Sequence, residues 1–220
     1  MLLELFSRFK LCYNIFGDKM KQIQERVVSE LEIKKSKFIT NLIPVKSVTE
    51  AENELKLLKK EHYTATHNCY AYVINEQLNQ KMSDDGEPSR TAGFPILDTL
   101  LNNDLDNVLC VVTRYYGGIK LGKGGLIRAY KAAALEAIKK ASFYTEETKQ
   151  VYKTIIPYTL YDIFSHAIKD KAVIISEDFG VDVTVIFYLL TGDVKALKTQ
   201  FHGQLDLIEK EIIKVQLPLK

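Results

Sequence analysis

Five of the eleven glycines, Gly117, Gly118, Gly122, Gly124 and Gly125, fall within nine residues of the stretch RYYGGIKLGKGGLIRAY. Around them stand Arg114, Lys120, Lys123, Arg128 and Lys131, and no carboxylate occurs between Asp106 and Glu136. Glycine lets backbone approach a ligand closely and adopt positive φ. The start of a helix leaves amides free to receive an anion. The loop is therefore expected to meet phosphate groups, on a nucleotide or on a nucleic acid. Read from Gly117 it runs G-x-x-x-x-G-K-G, with Gly124 where nucleotide hydrolases carry the Ser or Thr that holds magnesium. No apolar strand ends in an obvious second carboxylate for that metal. Binding of a phosphate or polyanion without hydrolysis is the chemistry that suits this pattern. Tyr115 and Tyr116 lie beside Arg114, and Tyr130 lies between Arg128 and Lys131. Such rings stack on bases while the cations neutralise phosphates. Because neighbours on a strand face opposite ways, Tyr115 or Tyr116 is expected to point into the core.

Two further constellations carry polar chemistry. In SDDGEPSRTAG, Asp84, Asp85 and Glu87 are hard-cation ligand types, but their spacing is not that of a calcium loop. The dipeptide Asp85-Gly86 favours a turn, and Pro88 stiffens the residues after it. A structural or binding role is expected, and these acids facing the basic loop, each shifting the other's pKa, is a further reading. His67 and Cys69 are two apart on a strand and share a face, as a nucleophilic Cys-His pair requires, yet no third residue to orient the histidine is identifiable. His62, His166 and His202 are isolated. No catalytic residue, metal site or cofactor is assigned.

These residues need a framework. From Glu25 to Val45 the apolar residues alternate, as one bent strand or two. Ser47 and Glu50 form a capping box for a helix carrying Ala51, Leu55 and Leu58 on one face. HNCYAYVINE is a strand, QLNQKMSDDGEPSRTAG a polar loop, and Pro95 begins a helix. VLCVVT is the continuous apolar run of a strand covered on both faces. The glycine loop and an alanine-rich helix come next. A β-β-α-β-loop-α-β-α order results, suggesting an α/β sandwich within an α+β protein. The polar segment TEETKQ, within Ser142–Gln150, reads as a linker. Beyond it come strand KTIIPYTL, helix YDIFSHAIKDK, strands AVIISEDF and VDVTVIFYLL hinged at Gly180, a helix capped by Asp193, and strand IEKEIIKVQL. This β-α-β-β-α-β order is the ferredoxin-like unit. Expected boundaries are 1–19 for an N-terminal extension, 20–145 for the main domain and 146–220 for the second.

Composition constrains function more loosely. The chain is nearly half apolar with a net charge of +2, which neither demands nor excludes nucleic acid. Residues 20–145 carry 18 basic and 15 acidic side chains, residues 146–220 carry 9 and 11, so the positive charge belongs to the first domain. Three cysteines, Cys12, Cys69 and Cys110, without C-x-x-C spacing argue for a reducing compartment and against a disulfide framework or structural zinc. No stretch has the apolar length of a transmembrane helix. The start, MLLELFSRFKLCYNIFGDK, is a poor signal peptide; it reads as an amphipathic helix or as an extension upstream of Met20, the extension being preferred. A cytoplasmic protein with no membrane partner is expected.

The motifs SDDGEPSRTAG and RYYGGIKLGKGGLIRAY, preceded by KKSKFI and THNCYAY, resemble those of the IMPACT/YigZ family of bacterial and eukaryotic proteins. The resemblance runs from about Leu31 to Ala141 and extends to the small C-terminal domain of bacterial members. It implies a first domain with the left-handed β-α-β fold of ribosomal and translocase domains, and a ferredoxin-like second domain similar to parts of elongation factor G. It also implies a role near translation: eukaryotic members compete for an activator of a starvation-sensing kinase through an N-terminal domain not recognisable here. By resemblance, Asp84, Asp85, Gly86, Glu87, Pro88 and Arg90 form an accessory motif loop. Arg90 stands where the family usually has glycine, Tyr116 where it has phenylalanine, and Lys123 where small residues are common. The near-match to a nucleotide loop is thus not a family property.

The expectation is a non-enzymatic cytoplasmic factor linked to translation. It would bind RNA, the ribosome or another phosphate-rich partner through Arg114, Tyr116, Gly117, Gly118, Lys120, Gly122, Lys123, Gly124, Gly125 and Arg128. The alternatives are an enzyme acting on a phosphorylated small molecule or nucleotide, and a regulator that docks on a protein through its C-terminal domain. Oligomeric state is not readable from these residues.

Overall fold

The computed structural model describes residues 20–219, and the expected extension 1–19 lies outside them. Two compact units divide the chain at Thr145 and Glu146: the first takes back the chain from Pro218, and the second is Glu146–Leu217. In the first unit, β1 (Gln22–Ile23) is a two-residue strand. The alternating stretch after Glu25 folds as a hairpin of β2 (Val27–Ile33) and β3 (Ser36–Pro44). Its two-residue turn, Lys34-Lys35, holds both lysines at left-handed φ, 49° and 63°. That geometry matches the right-handed twist of paired strands, at the cost of a conformation L-residues disfavour.

Helix α1 (Val48–Glu61) starts where Ser47 Oγ accepts the Glu50 amide at 3.1 Å. The Glu50 carboxylate reaches back to the Lys46 amide at 2.7 Å, one residue beyond the usual capping-box donor. Then come β4 (His67–Ile74), β5 (Asn79–Ser83), α2 (Gly93–Asn102), β6 (Val108–Tyr115) and α3 (Lys123–Lys140). Strand β5 falls inside the segment expected to be loop. NQKMS offers no apolar alternation because this edge strand is solvated, and its pairing comes from backbone bonds to β4.

The sheet order is β2-β3-β6-β4-β5, with every neighbouring pair antiparallel. Strands β3 and β4 therefore run parallel with β6 between them, and α1 is their crossover. Alternate residues of the buried strands feed two cores. Cys69, Ala71, Val73, Val108, Cys110 and Val112 pack with residues of α2 and α3. Tyr70, Tyr72, Leu109 and Val111 pack with Ala51 and Leu58 of α1. The sheet is thus covered on both faces, which is why VLCVVT is apolar without interruption. On α3 the buried positions include Ala129, Ala133, Ala134 and Ala137. These small residues bring the helix close enough for Thr40 Oγ1 to donate to the Ala133 carbonyl at 3.2 Å.

The second unit holds the rest of β7 (Phe143–Ile156), α4 (Tyr158–Ile168), β8 (Ala172–Phe179), β9 (Val183–Leu189), α5 (Val194–Gln200) and β10 (Ile208–Pro218). Its strand order is β10-β7-β9-β8. Phe164 of α4 meets Phe187 and Phe201 edge-on at 5.4 and 6.0 Å, at the centre of its core. Asp193 caps α5, accepting the Ala196 amide at 2.6 Å. The expected linker TEETKQ is instead β7, whose Phe143 and Tyr144 pair with β1 and whose Val151–Ile156 pair with β9. Within TEETKQ, Thr145 is buried, Thr148 is exposed and the other polar side chains are half-buried. Composition alone therefore imitates a linker while the backbone runs on as strand.

Candidate polyanion-binding site

The glycine loop leaves β6 at a clamped end. Thr66 donates its amide to the Arg114 carbonyl at 2.9 Å, and its Oγ1 accepts the Tyr116 amide at 3.0 Å. The Gly117 amide donates to Ser36 Oγ at 3.2 Å, and a Cβ at Gly117 would fall 1.9 Å from the Lys35 carbonyl oxygen. No residue but glycine fits there. Beyond it, Gly118 (φ +84°) and Gly122 (φ +69°) meet nothing within 4 Å of a built Cβ. Their backbone faces open space. Gly122 precedes α3 with its carbonyl accepting the Leu126 amide at 2.9 Å, and no side chain caps that end.

Lys123 is the first residue of α3, and Arg128 folds back so that Nη1 would lie 3.7 Å from a Cβ at Gly124. Gly125 is half-buried, tight against Leu121. Lys120, Lys123 and Arg128 are exposed and make no ion pair among the described residues. A helix N-terminus normally attracts a carboxylate; here it is ringed by cations. Tyr116 is 46% exposed, beside the loop, with the Arg114 guanidinium 5.5 Å from its ring centre. Tyr115 is half-buried, its hydroxyl 2.9 Å from His62 Nδ1.

Arg114 leaves the expected set of free cations. It is 5% exposed, and its Nη1 donates to Glu87 Oε1 at 2.6 Å. Neighbours on a strand point to opposite faces, and Arg114 takes the inward side. Glu87 Oε1 also accepts Tyr130 O–H at 2.8 Å, and His67 Nε2 lies 3.8 Å away. Nη2 of Arg114 donates to Ser36 Oγ at 3.3 Å, the same hydroxyl that accepts the Gly117 amide. One chain of bonds therefore leads from the acidic motif through Arg114 and Ser36 to the glycine loop. Burial, with Cys69 and Glu87 adding to it, pushes the Tyr130 hydroxyl far up, so it stays a donor. Tyr130, expected as a stacking ring, is fully buried against Phe38 instead.

The other acids of the motif also work locally. Asp84 Oδ1 accepts the amides of Ala92 and Gly93 at 2.9 and 2.8 Å, and Oδ2 that of Arg90 at 2.7 Å. It serves as a remote N-cap for α2, whose own N-cap residue is Ala92. Asp85 joins Lys59 at 2.6 Å and the Asn68 amide at 2.7 Å. Burial raises the Asp85 pKa, but the Lys59 ammonium and the Asn68 amide outweigh it and hold the carboxyl below its usual range. Gly86 (φ +91°) lies over His67, whose Nδ1 meets the Asp85 carbonyl at 2.8 Å and so carries the proton. The Pro88 carbonyl accepts the Thr91 hydroxyl at 2.6 Å, and Arg90 stacks over the Phe94 ring at 4.1 Å.

Cys69 and His67 are not arranged as an activated Cys-His pair, each being bonded to other groups. Cys69 lies 3.0 Å from the Asp84 carbonyl, and burial pushes its thiol up to about 12, so no thiolate forms near neutrality. Among the described residues, no three His, Cys, Asp or Glu gather as a metal site, and no helix is long and apolar enough to cross a membrane. The residues that sequence reasoning missed are Ser36, which opens β3, and Thr66, just ahead of β4; both anchor the loop from positions distant in sequence. Nothing local marks either of them.

A two-unit α/β protein with an uncapped, cation-ringed glycine loop is the class these features define. Residues 34–138 match the Impact N-terminal domain. The IMPACT family member YvyE of Bacillus subtilis is 40% identical over 156 residues, covering 70% of this chain and 72% of that protein. An IMPACT family member of Haemophilus influenzae is 34% identical over 178 residues, 79% and 86% of the two chains. A crystal structure of a hypothetical protein, 30% identical, superposes with a TM-score of 0.57 over 89% of this chain and 98% of the other. The chain belongs to the IMPACT family.

Proposed function

We propose that this protein is a non-enzymatic, cytoplasmic factor acting near translation, which binds RNA, alone or in the ribosome, through the glycine loop. The observation that carries the reading is the loop's electrostatics. Lys120, Lys123 and Arg128 surround free helix amides, and no carboxylate pairs with any of them among the described residues. Phosphate groups supply the missing charge and the missing acceptors together. Gly118 and Gly122 leave the backbone bare for close approach, and Tyr116 offers a ring for stacking. The link to translation rests on the family resemblance. The β-α-β-β-α-β element order and the strand order of the second unit support the ferredoxin-like reading of that unit. We read the β3-α1-β4 crossover as the left-handed form that the resemblance implies.

The test is equilibrium binding of single-stranded RNA across a salt series. The wild type should bind with an affinity that falls steeply with salt. Replacing Lys120, Lys123 and Arg128 by alanine should reduce the log–log slope by about 2, at roughly 0.7 per phosphate contact on a single strand. Absence of salt-sensitive binding by the wild type, to RNA or to ribosomal subunits, would sink the reading.

A further inference from the structure

We propose that the β2–β3 turn is a second arm of this surface, with Lys34 and Lys35 engaging the same RNA backbone as the glycine loop. The inference rests on the RNA-binding reading and extends it from a phosphate pocket to an elongated phosphodiester track. Three observations carry it.

The first is proximity enforced by backbone. The Lys35 carbonyl and the Ser36 amide would lie 1.9 and 2.6 Å from a Cβ at Gly117, and Ser36 Oγ accepts the Gly117 amide at 3.2 Å. The turn and the loop are one fixed surface, although more than eighty residues of chain separate Lys35 from Gly117.

The second is the turn's sequence. A two-residue hairpin turn with both residues at left-handed φ is suited to Asn-Gly, and this chain places two lysines there, at φ 49° and 63°. Turn chemistry that breaks the local rule calls for an offsetting use.

The third is pairing. Several other cations of the unit are neutralised: Lys37 by Glu30 at 2.8 Å, Lys131 by Asp98 at 3.5 Å, and Lys59 by Asp85 at 2.6 Å. Lys34 and Lys35 are exposed and make no ion pair among the described residues, as is true of the loop cations. Unpaired cations thus stand on both the turn and the loop it abuts; Lys46, Lys56 and Lys60, which also make no ion pair among the described residues, lie before or on α1, and Arg90 stacks on Phe94. A single phosphate needs only the loop. Two abutting cationic segments suit consecutive phosphates of an extended strand.

The experiment replaces the turn by its favoured chemistry, Lys34→Asn with Lys35→Gly, in the full chain. Thermal unfolding and binding to poly(U) are then followed across a salt series. The melting temperature should rise, because strain is relieved, while the salt slope falls by about 1.4 for two lost contacts. Higher stability with weaker binding is a combination that damage to the fold does not produce. Should the double variant keep the wild-type slope while the Lys120, Lys123, Arg128 triple-alanine variant loses its share, the turn arm is wrong and the loop reading stands. Should the double variant lose binding but also melt lower, the loss belongs to the fold and the turn arm is again overturned. If the wild type shows no salt-sensitive binding to poly(U), the loop reading and the turn arm fail together.

Discussion

Glu87 gathers Arg114 and Tyr130 on one carboxylate oxygen in a nearly dry environment. Arg114 Nε is buried without a partner, so the guanidinium depends on Glu87 for its neutralising charge. Breaking one side of such a pair leaves an uncompensated ion in low dielectric. Glu87→Gln should therefore destabilise the first unit by about 3–5 kcal/mol, read by urea unfolding. A loss under about 1 kcal/mol would mean the pair is only surface-grade. Asp85 gives a pH signature. Its pKa is depressed in the folded state, so the unfolded chain binds the proton more readily. The stability it contributes is present above the ordinary carboxylate value and is lost as pH falls towards the lowered one. The gap in melting temperature between wild type and Asp85→Asn should accordingly be open at neutral pH and close below about pH 4. A gap independent of pH would show that Lys59 and the Asn68 amide do not hold this charge.

At the scale of elements, the contact between turn and loop governs the site. Gly117→Ala would drive a Cβ into the Lys35 carbonyl at 1.9 Å, so loop and hairpin must separate. Overpacking against backbone should cost about 3 kcal/mol or more, with faster amide exchange at the loop clamp. Gly118→Ala meets open space and pays only for its φ of +84°, about 1–2 kcal/mol. Equal effects of the two substitutions would refute the close approach. Element existence was largely legible. Uninterrupted VLCVVT announced a strand buried on both faces, and Ser47 and Asp193 announced two helix starts. Strand β5 and the run of β7 through TEETKQ were not. Both are polar segments whose strand character comes from main-chain bonds to a neighbour, which composition does not encode.

At the scale of the molecule, charge is divided unevenly: 18 basic against 15 acidic side chains in residues 20–145, and 9 against 11 in residues 146–220. Salt-dependent binding of the kind proposed should therefore reside in the first unit. In the same titration that tests the loop, alanine at Lys153 and Lys171 of the second unit serves as the control and should leave the slope unchanged. A drop equal to that of the loop variant would move the interface to the other unit.

Sequence by itself determined that the chain has two α/β parts, that its glycines and cations cluster without acids, and that its motifs are those of the IMPACT family. Such features are local in the chain, and composition and spacing record them directly. Only the tertiary structure decided which charges are free. Arg114 and Lys120 are equal as letters, yet one is buried on Glu87 and the other is exposed and unpaired among the described residues. The turn at Lys34 and Lys35 abuts the loop for the same reason. Pairing of β3 with β6 brings Lys37 opposite Tyr115, and a charge is cancelled or left open by neighbours that the sheet supplies from far along the chain.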